Sequence, residues 1–444
     1  MRVRISALAE TIRQSLFLVP MAGVLAGIVL GQLSILLDTQ LEQGTPGTPD
    51  LPLGLTSTVE SARAVLTTIA GATVTVAGIA FSVSLLVIQL GSSQYSPRVV
   101  HTLFRDPFNK RVMGVVLGTF TYCLVVLRSV RSAIEEGGTP VIPNLSVSIG
   151  LLLGIAAVLA IVAFINHSAH SMDISVVLGR VSRNAISEIH DQWLPDEPAS
   201  AGSAHLPPAH LPAHDVRFDR SGWVQQVDSE RLLSCAPASG TIFLDILPGR
   251  YAIAGTRVCT ISPPPADIDE AERVVLATIR IGETRTTQQD ASYGLRMLVD
   301  VALKALSPGI NDPTTAQDAI FHATAVLGEA LRRYPPARVQ AGEGGRRLVL
   351  QEQHTDDELV RLTFDEVRRA ATTQPTVCIY LLEALALLRD ALASAHLDDR
   401  AIALIEEARL VVRGCERADL LPEDIAQVRA AYDKRFGPRP TDEP

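Results

Sequence analysis

The sequence predicts a membrane α-helical protein: four transmembrane helices, followed by a cytoplasmic α+β region made of a small β module and a helical domain. Mean hydropathy over the 444 residues is +0.23, and the apolar stretches that raise it lie within 1–170. Clear period-two alternation appears in one later segment, and helical periodicity fills most of the rest. The expected domains are a transmembrane domain at 1–170, a helix extension with a flexible linker at 171–221, a β module at 222–262, a helical domain at 263–436 and a disordered tail at 437–444.

Four stretches are long enough to cross a hydrocarbon core of about 30 Å, which takes about 20 apolar residues. They are 16–37, 64–90, 112–127 and 147–165. A cleaved signal peptide is the alternative for the first stretch. Its apolar run is longer than a signal peptide needs, and no small-residue cleavage site follows it, so a transmembrane helix is favoured.

The positive residues beside the spans predict the orientation, because cytoplasmic loops carry an excess of Lys and Arg. These residues are Arg2, Arg4 and Arg13 before the first span, and Arg98, Arg105, Lys110 and Arg111 between the second and third. The loop 38–60 has no Lys or Arg, and the loop 128–145 has two. We therefore expect a multi-pass protein of the inner (plasma) membrane with both termini in the cytoplasm.

Charge and cysteine content argue against several classes of protein. The formal net charge of −9 disfavours a dedicated nucleic-acid-binding protein. The five cysteines include no CxxC pair, so neither a disulfide framework nor a cysteine zinc site is expected, and a reducing compartment fits. We expect no nucleic-acid partner, no metal and no cofactor.

The second span carries a polar row. Ser61, Thr68, Thr75, Ser82 and Gln89 recur every seven residues, which places them along one helix face. Lipid offers such residues no partner, so the row is expected to face protein or water. Two interpretations stay open: a helix–helix interface, and the lining of a pore. The spans hold no Asp, Glu, Lys, Arg or His except at their ends, which disfavours a proton-coupled transporter.

A stretch rich in Pro, Ala and His follows the spans. Residues 195–214 include His205, His210 and His214, in a composition that cannot build a core. We expect a flexible connector, with metal binding by the three histidines as the alternative.

The β module is predicted from alternation and turns. Gly222–Val227 and Thr241–Leu247 alternate apolar and polar residues, and Pro248 with Gly249 supplies a turn. Short strands separated by glycine turns are typical of a small barrel or sandwich.

Helix signals then dominate. A helix over 290–306 places Arg296, Asp300 and Lys304 at i, i+4 and i+8, where they can pair. It is expected to stop at 307–309. The next helix begins with Asp312 as N-cap, followed by a proline. Further starts are a capping box from Thr355 to Glu358, Pro375, Asp398 and Pro422.

The run from Arg285 to Ala316, which contains Ser-Pro-Gly-Ile-Asn-Asp-Pro, resembles the signature of an uncharacterised family of predicted bacterial membrane proteins, domain of unknown function 2254 (DUF2254). The run Gly91–Arg98 and the β segment from Gly222 are similar to that family as well. The resemblance extends over nearly the whole chain. It implies the membrane architecture and transfers no settled activity.

The signature contains a dense polar set. Its members are Asp290, Arg296, Asp300, Lys304, Asn311 and Asp312. One interpretation is structural, with ion pairs and a cap that order a helix–turn–helix. A second is a contact with a ligand or another subunit, and a third is a carboxylate pair in acid–base catalysis. No nucleophile–base pair, phosphate loop or other catalytic pattern accompanies the set, so we expect no enzyme.

The function that these patterns favour is a homo-oligomeric channel or pore with a cytoplasmic assembly or gating domain. Thr68, Thr75, Ser82 and Gln89 are the candidate pore or interface residues. The expected partners are the lipid bilayer and further copies of the chain. The alternative is a membrane-anchored sensor or scaffold that binds an unidentified cytoplasmic ligand or protein.

Overall fold

The computed structural model describes residues 17–44, 58–94, 98, 107–130, 143–171, 173–197, 212–351 and 354–438. The chain divides into two compact units. The first, called the membrane unit, consists of Met1–Ser93 and Pro97–Asp173. The second, called the C-terminal unit, is essentially Ile174–Pro444, with Gln94–Ser96 assigned to it as well.

Four helices make up the described part of the membrane unit. They are α1 (Leu18–Gly44), α2 (Val59–Gln94), α3 (Pro107–Leu127) and α4 (Asn144–Ser171). Each is long and apolar enough to cross a membrane, which confirms the predicted membrane fold class. The helices extend past the predicted spans because helix-compatible polar residues continue the backbone beyond the apolar part. At α3, for example, the helix begins with Pro107, five residues before the predicted span.

Glycines set the spacing between α1 and α3. A Cβ atom built on Gly23 would lie 2.3 Å from the carbonyl oxygen of Gly114, and one on Gly27 would lie 2.4 Å from that of Gly118. Both pairs are four residues apart in sequence, so each helix presents a small-residue groove to the other. The two backbones therefore touch.

The C-terminal unit contains α5 (Ile174–Gln192) and two sheets in its described residues. The strands are β1 (His214–Arg217), β2 (Gly222–Val227), β3 (Thr241–Leu244), β4 (Tyr251–Ala252), β5 (Arg257–Ser262), β6 (Ile279–Gly282), β7 (Val339–Ala341) and β8 (Arg347–Leu350). One sheet has the order β1-β5-β3-β8-β7, and the other has the order β4-β2-β6. Only the β3–β8 pair is parallel in the described sheets. Their shared core includes the fully buried Val224, Ile242 and Ile261.

The β region is larger than the predicted module at 222–262. β1 precedes it, and β6, β7 and β8 lie inside the segment 263–436 that was expected to be helical. That expectation is wrong there because strands of three or four residues are too short to show a period. β6 and β8 are held by pairing with strands distant in sequence, as when Leu348 aligns with Ile242.

The connector predicted at 195–214 loses its last residue to a strand, since β1 begins at His214. The helix extension expected from residue 171 is a separate helix, because α4 ends at Ser171 and α5 begins at Ile174. His214 lies in β1, where its Nε2 is 2.8 Å from Oε1 of Glu272. His205 and His210 lie outside the described residues, as do residues 439–444 of the predicted tail.

The other described helices of this unit are α6 (Ser229–Ser234), α7 (Ile268–Thr278), α8 (Ala291–Ala305), α9 (Pro313–Leu331), α10 (Asp356–Ala371), α11 (Pro375–Ser394), α12 (Ile402–Glu416) and α13 (Pro422–Phe436). α8 and α9 form an antiparallel pair against α5, and α11 packs on α9. The approach is close, since a Cβ on Gly294 would lie 2.4 Å from Cβ of Ala185. The predicted capping box of Thr355 and Glu358 opens α10.

Candidate functional site

The polar row lies on the outer face of α2. Thr68, Thr75, Ser82 and Gln89 are all exposed. The opposite face is buried and consists largely of small residues: Ala62, Leu66, Ala70, Thr73, Ala77 and Ala80. The seven-residue repeat therefore places the row away from the bundle of its own chain.

The hydroxyl groups of the row are satisfied within α2. Thr68 Oγ1 donates to the carbonyl oxygen of Ala64 at 2.7 Å, and Thr75 Oγ1 donates to that of Gly71 at 2.9 Å. Ser82 Oγ donates in the same way to the carbonyl oxygen of Gly78, at 2.9 Å. Each hydroxyl group thus uses its proton within α2, and its oxygen can still accept a hydrogen bond.

The outer face of α2 differs from those of its neighbours. α1 and α4 expose large apolar side chains of the kind that suits lipid, including Leu25, Val29, Leu36, Leu152, Leu159 and Val162. On α2, Gly71 and Gly78 lie beside the row, and a Cβ at either would meet no described atom within 4 Å. Ile79 and Leu86 flank the row on its other side. α2 thus exposes a weakly polar strip beside large apolar side chains, which also include Val74, Phe81 and Leu85.

A buried polar cluster joins α1 to α4 in the membrane unit. Oδ1 of Asp38 accepts from the backbone N–H of Leu145 at 3.0 Å, and Oδ2 accepts from that of Ser146 at 2.9 Å. The Ser146 hydroxyl donates to the same carboxylate at 2.5 Å. Tyr122 of α3 donates to the carbonyl oxygen of Ser146 at 2.9 Å. Asp38 therefore caps α4 from a different helix.

Sequence reasoning missed Asp38, because the residue was assigned to a loop at the end of the first span. It lies within the apolar segment Leu18–Gln40 and is 8% exposed. The first-turn N–H groups of α4 satisfy its charge, which offsets the cost of burial.

In the C-terminal unit, Asp290 caps α8 and binds Arg285. Its Oδ1 accepts from the N–H of Tyr293 at 3.1 Å, and its Oδ2 accepts from Nε of Arg285 at 2.6 Å. The guanidinium also lies over the rings of Trp223 and Tyr293. Asp290 is buried, so this ion pair and cap hold the start of α8 against β2.

Gln289, just before α8, connects the start of this helix to β2 and α5. With its backbone in the left-handed region at φ 54°, its side-chain amide bonds both the N–H and the carbonyl of Val227. Its own N–H donates to Glu188 of α5 at 2.6 Å. Burial raises the pKa of Glu188. Gln289 and Glu188 thereby connect α5, β2 and α8.

Arg296 links α8 to α10. Its Nε donates to Oδ1 of Asp300 at 2.9 Å, as the i, i+4 spacing predicts, and its Nη2 donates to Oε2 of Glu366 at 3.0 Å. These bonds lower the pKa of Glu366 and raise that of Arg296. Lys304 is exposed near the end of the same helix.

Asn311 and Asp312 form the turn between α8 and α9. Asn311 has a φ of 48°, a conformation that asparagine tolerates well. Oδ1 of Asp312 accepts from the N–H groups of Thr314 and Thr315 at 3.1 Å each, with Pro313 in the first turn. Hydrogen bonds from Thr315 lower the pKa of Asp312. Asp312 is therefore the N-cap that the sequence predicts.

The signature residues do not converge on one site. Asp290 and Asp300 are ten residues apart on α8, or about 15 Å along its axis. Asp290 borders a shallow cleft of about 50 Å³ with Trp193, Arg250 and His354, which is room for one or two water molecules. Among the described residues, no group of three or more His, Cys, Asp or Glu side chains is arranged to hold a metal ion.

Comparison with known proteins decides the family. A family model described as "Predicted membrane protein (DUF2254)" matches residues 13–387. The chain belongs to the DUF2254 family. The uncharacterized proteins Rv1290c of Mycobacterium tuberculosis and Mb1321c of Mycobacterium bovis are each 30% identical to it, over 96% of this chain and 81% of theirs. No solved structure shows significant similarity to this DUF2254 protein.

Proposed function

We propose that this DUF2254 protein is a homo-oligomeric channel of the inner membrane, in which α2 of each copy turns its polar row towards a central pathway. The observation that carries the proposal is the position of Thr68, Thr75 and Ser82, with Gly71 and Gly78 beside them, on the exposed face of α2. Hydrocarbon offers these hydroxyl groups no hydrogen-bond partner, whereas water or the polar groups of a second helix would.

The chemistry of the row suits a neutral pathway. Hydroxyl oxygens and the Gln89 amide offer acceptors to water or to a cation, with no charged ring to select strongly by sign. Ile79 and Leu86, which flank the row, can form apolar constrictions between the polar levels. We expect a weakly selective pathway for water-soluble ions or small polar solutes.

The orientation is part of the same proposal. Arg98 and the other positive residues between α2 and α3 favour the cytoplasmic side for that loop and for both termini. The C-terminal unit then lies in the cytoplasm, where it can direct assembly or gating. We further infer that the signature residues act as ion pairs and caps rather than as an enzyme, since Asp290 and Asp300 are too far apart along α8 to act as a pair.

Cysteine accessibility tests the pathway. The variants Thr75→Cys and Ser82→Cys are compared with Val158→Cys and Leu159→Cys on the outer face of α4. The wild-type protein, in which Cys123 is buried and Cys235 is half-buried, gives the background. A water-soluble thiol reagent is expected to label the α2 cysteines at least about tenfold faster, because thiolate forms in water and not in lipid. Equal slow labelling at all four positions would rule out a water-filled path.

The alternative is a membrane-anchored scaffold or sensor in which α2 faces meet in a dry interface. The internal hydrogen bonds of Thr75 and Ser82 favour it, because such hydroxyls can pack without water. In that case the same cysteines form disulfide cross-links between copies under an oxidant, yet resist the water-soluble reagent. Planar bilayers with the purified protein would then show no conductance.

A further inference from the structure

Two buried cysteines touch in the helical part of the C-terminal unit. The Cys415 thiol donates to the sulfur of Cys378, with 3.1 Å between the two Sγ atoms. The Cys378 thiol in turn donates to the carbonyl oxygen of Ala371 at 3.2 Å. Both residues are at most 1% exposed. Two thiols this close need only a small shift to reach bonding distance.

Their position on the helices gives a route for small reagents. Cys378 lies in the first turn of α11, after Pro375, and Cys415 is the residue before the last of α12. Helix ends open locally more often than helix centres. Local opening of these helix ends would admit a molecule as small as hydrogen peroxide without global unfolding.

The pair also differs from the other cysteines in its ionisation. The hydrogen bond between the two thiols lowers the pKa of Cys415 and raises that of Cys378. Burial instead raises the pKa of Cys259, in β5, to about 12. Cys415 is thus the better nucleophile, with Cys378 beside it as the second thiol.

We propose that Cys378 and Cys415 are a redox modification site, which a peroxide converts to an intramolecular disulfide between α11 and α12. The Cys415 thiolate attacks one peroxide oxygen, the O–O bond breaks, and the leaving hydroxide takes a proton to become water. The resulting sulfenic acid is attacked by the Cys378 sulfur, which displaces hydroxide; this hydroxide takes the Cys378 proton. Two thiols and one peroxide give one disulfide and two water molecules.

The bond would lock the packing of α11 on α12 and close the chain between them, which constrains the unfolded state and raises the unfolding temperature. A thiol reductant would reverse it. The site is therefore a switch in the rigidity of the C-terminal unit, independent of the role of α2.

Peptide mapping of the full-length protein tests the site. After hydrogen peroxide, alkylation of remaining thiols and trypsin digestion without reductant, the peptide Ala370–Arg389 is expected joined to Gly414–Arg417, two hydrogens lighter than their sum. Free thiols fall from five to three and return with reductant. Cys378→Ser and Cys415→Ser each abolish the joined peptide, and Cys259→Ser keeps it.

Two results would overturn the proposal. One is a wild-type protein that, after peroxide, yields Cys378 and Cys415 only in separate peptides, alkylated or over-oxidised. The other is a joined peptide that appears only between two chains, as a covalent dimer on a non-reducing gel. Both readouts use the wild-type chain, so they hold even if a serine variant fails to fold.

Discussion

Asp38 shows how one carboxylate can organise a membrane bundle. It accepts two backbone N–H groups of α4 and the Ser146 hydroxyl, while Tyr122 of α3 reaches the same serine. A charged group at this depth is stable because the N-terminus of α4 supplies donors and a favourable dipole. The caps of α8 and α9, made by Asp290 and Asp312, apply the same chemistry in the C-terminal unit.

Replacing Asp38 with Ala is expected to destabilise the membrane unit by ~1–3 kcal/mol, since two buried N–H groups lose their acceptor. Asp38→Asn, which keeps one carbonyl oxygen, should lose less. Thermal unfolding in detergent measures the effect, with the exposed Glu60→Ala as control. An Asp38→Ala protein as stable as the control would show that the cap is dispensable.

The Arg296–Glu366 pair predicts a pH dependence. The pKa of Glu366 is lowered in the folded protein because Arg296 donates hydrogen bonds to it. The ionised carboxylate therefore stabilises the fold above its ordinary pKa of 4.5, and this contribution disappears as the pH falls through the lower folded value. Urea midpoints measured from neutral to acidic pH should fall less steeply for Glu366→Gln than for wild type. Glu283→Gln, at an exposed loop position, should show the same pH dependence of the urea midpoint as the wild type. If Glu366→Gln shows that dependence too, the Arg296–Glu366 pair does not contribute to it.

At the scale of elements, the contact between α1 and α3 depends on backbone approach. Gly23 and Gly27 face Gly114 and Gly118, and a single added methyl group at Gly27 would meet backbone atoms rather than a flexible side chain. The helices must then separate, which loosens every contact along them. α2 shows the opposite, since Gly71 faces open space in the single chain.

Gly27→Ala is accordingly expected to cost ~1–3 kcal/mol, whereas Gly71→Ala should leave the stability of a single chain unchanged or slightly higher, because Ala favours the helix. The two variants make the same chemical change in transmembrane helices, so unfolding in detergent compares them directly. If Gly27→Ala unfolds at the same denaturant concentration as Gly71→Ala, the helices do not touch as described.

The sequence predicts the elements that depend on residues close together in the chain, and it misses those that depend on distant residues. The four spans and the common face of Thr75 and Ser82 follow from local composition and a seven-residue repeat. The caps at Asp312 and Thr355 are also local, and the sequence predicts them. β8 and Asp38 depend on partners far along the chain, so no local pattern marks them.

At the scale of the whole molecule, the membrane unit and the C-terminal unit differ in which polar side chains a single chain leaves exposed. The C-terminal unit buries a core between its sheets, and Asp290, Arg296, Asp300 and Asp312 of the signature are engaged in caps and ion pairs. The membrane unit leaves the polar row of α2 exposed in a single chain. In the proposed ring, further copies of the chain would cover this row and enclose the pathway.

A single-particle structure of the full-length protein in lipid nanodiscs tests the channel most directly. The proposal predicts a symmetric ring in which Thr75 and Ser82 of every copy face the central axis across a hydrated path. A single chain whose Thr75 and Ser82 lie against acyl chains, or a ring whose α2 faces point outward, would contradict it.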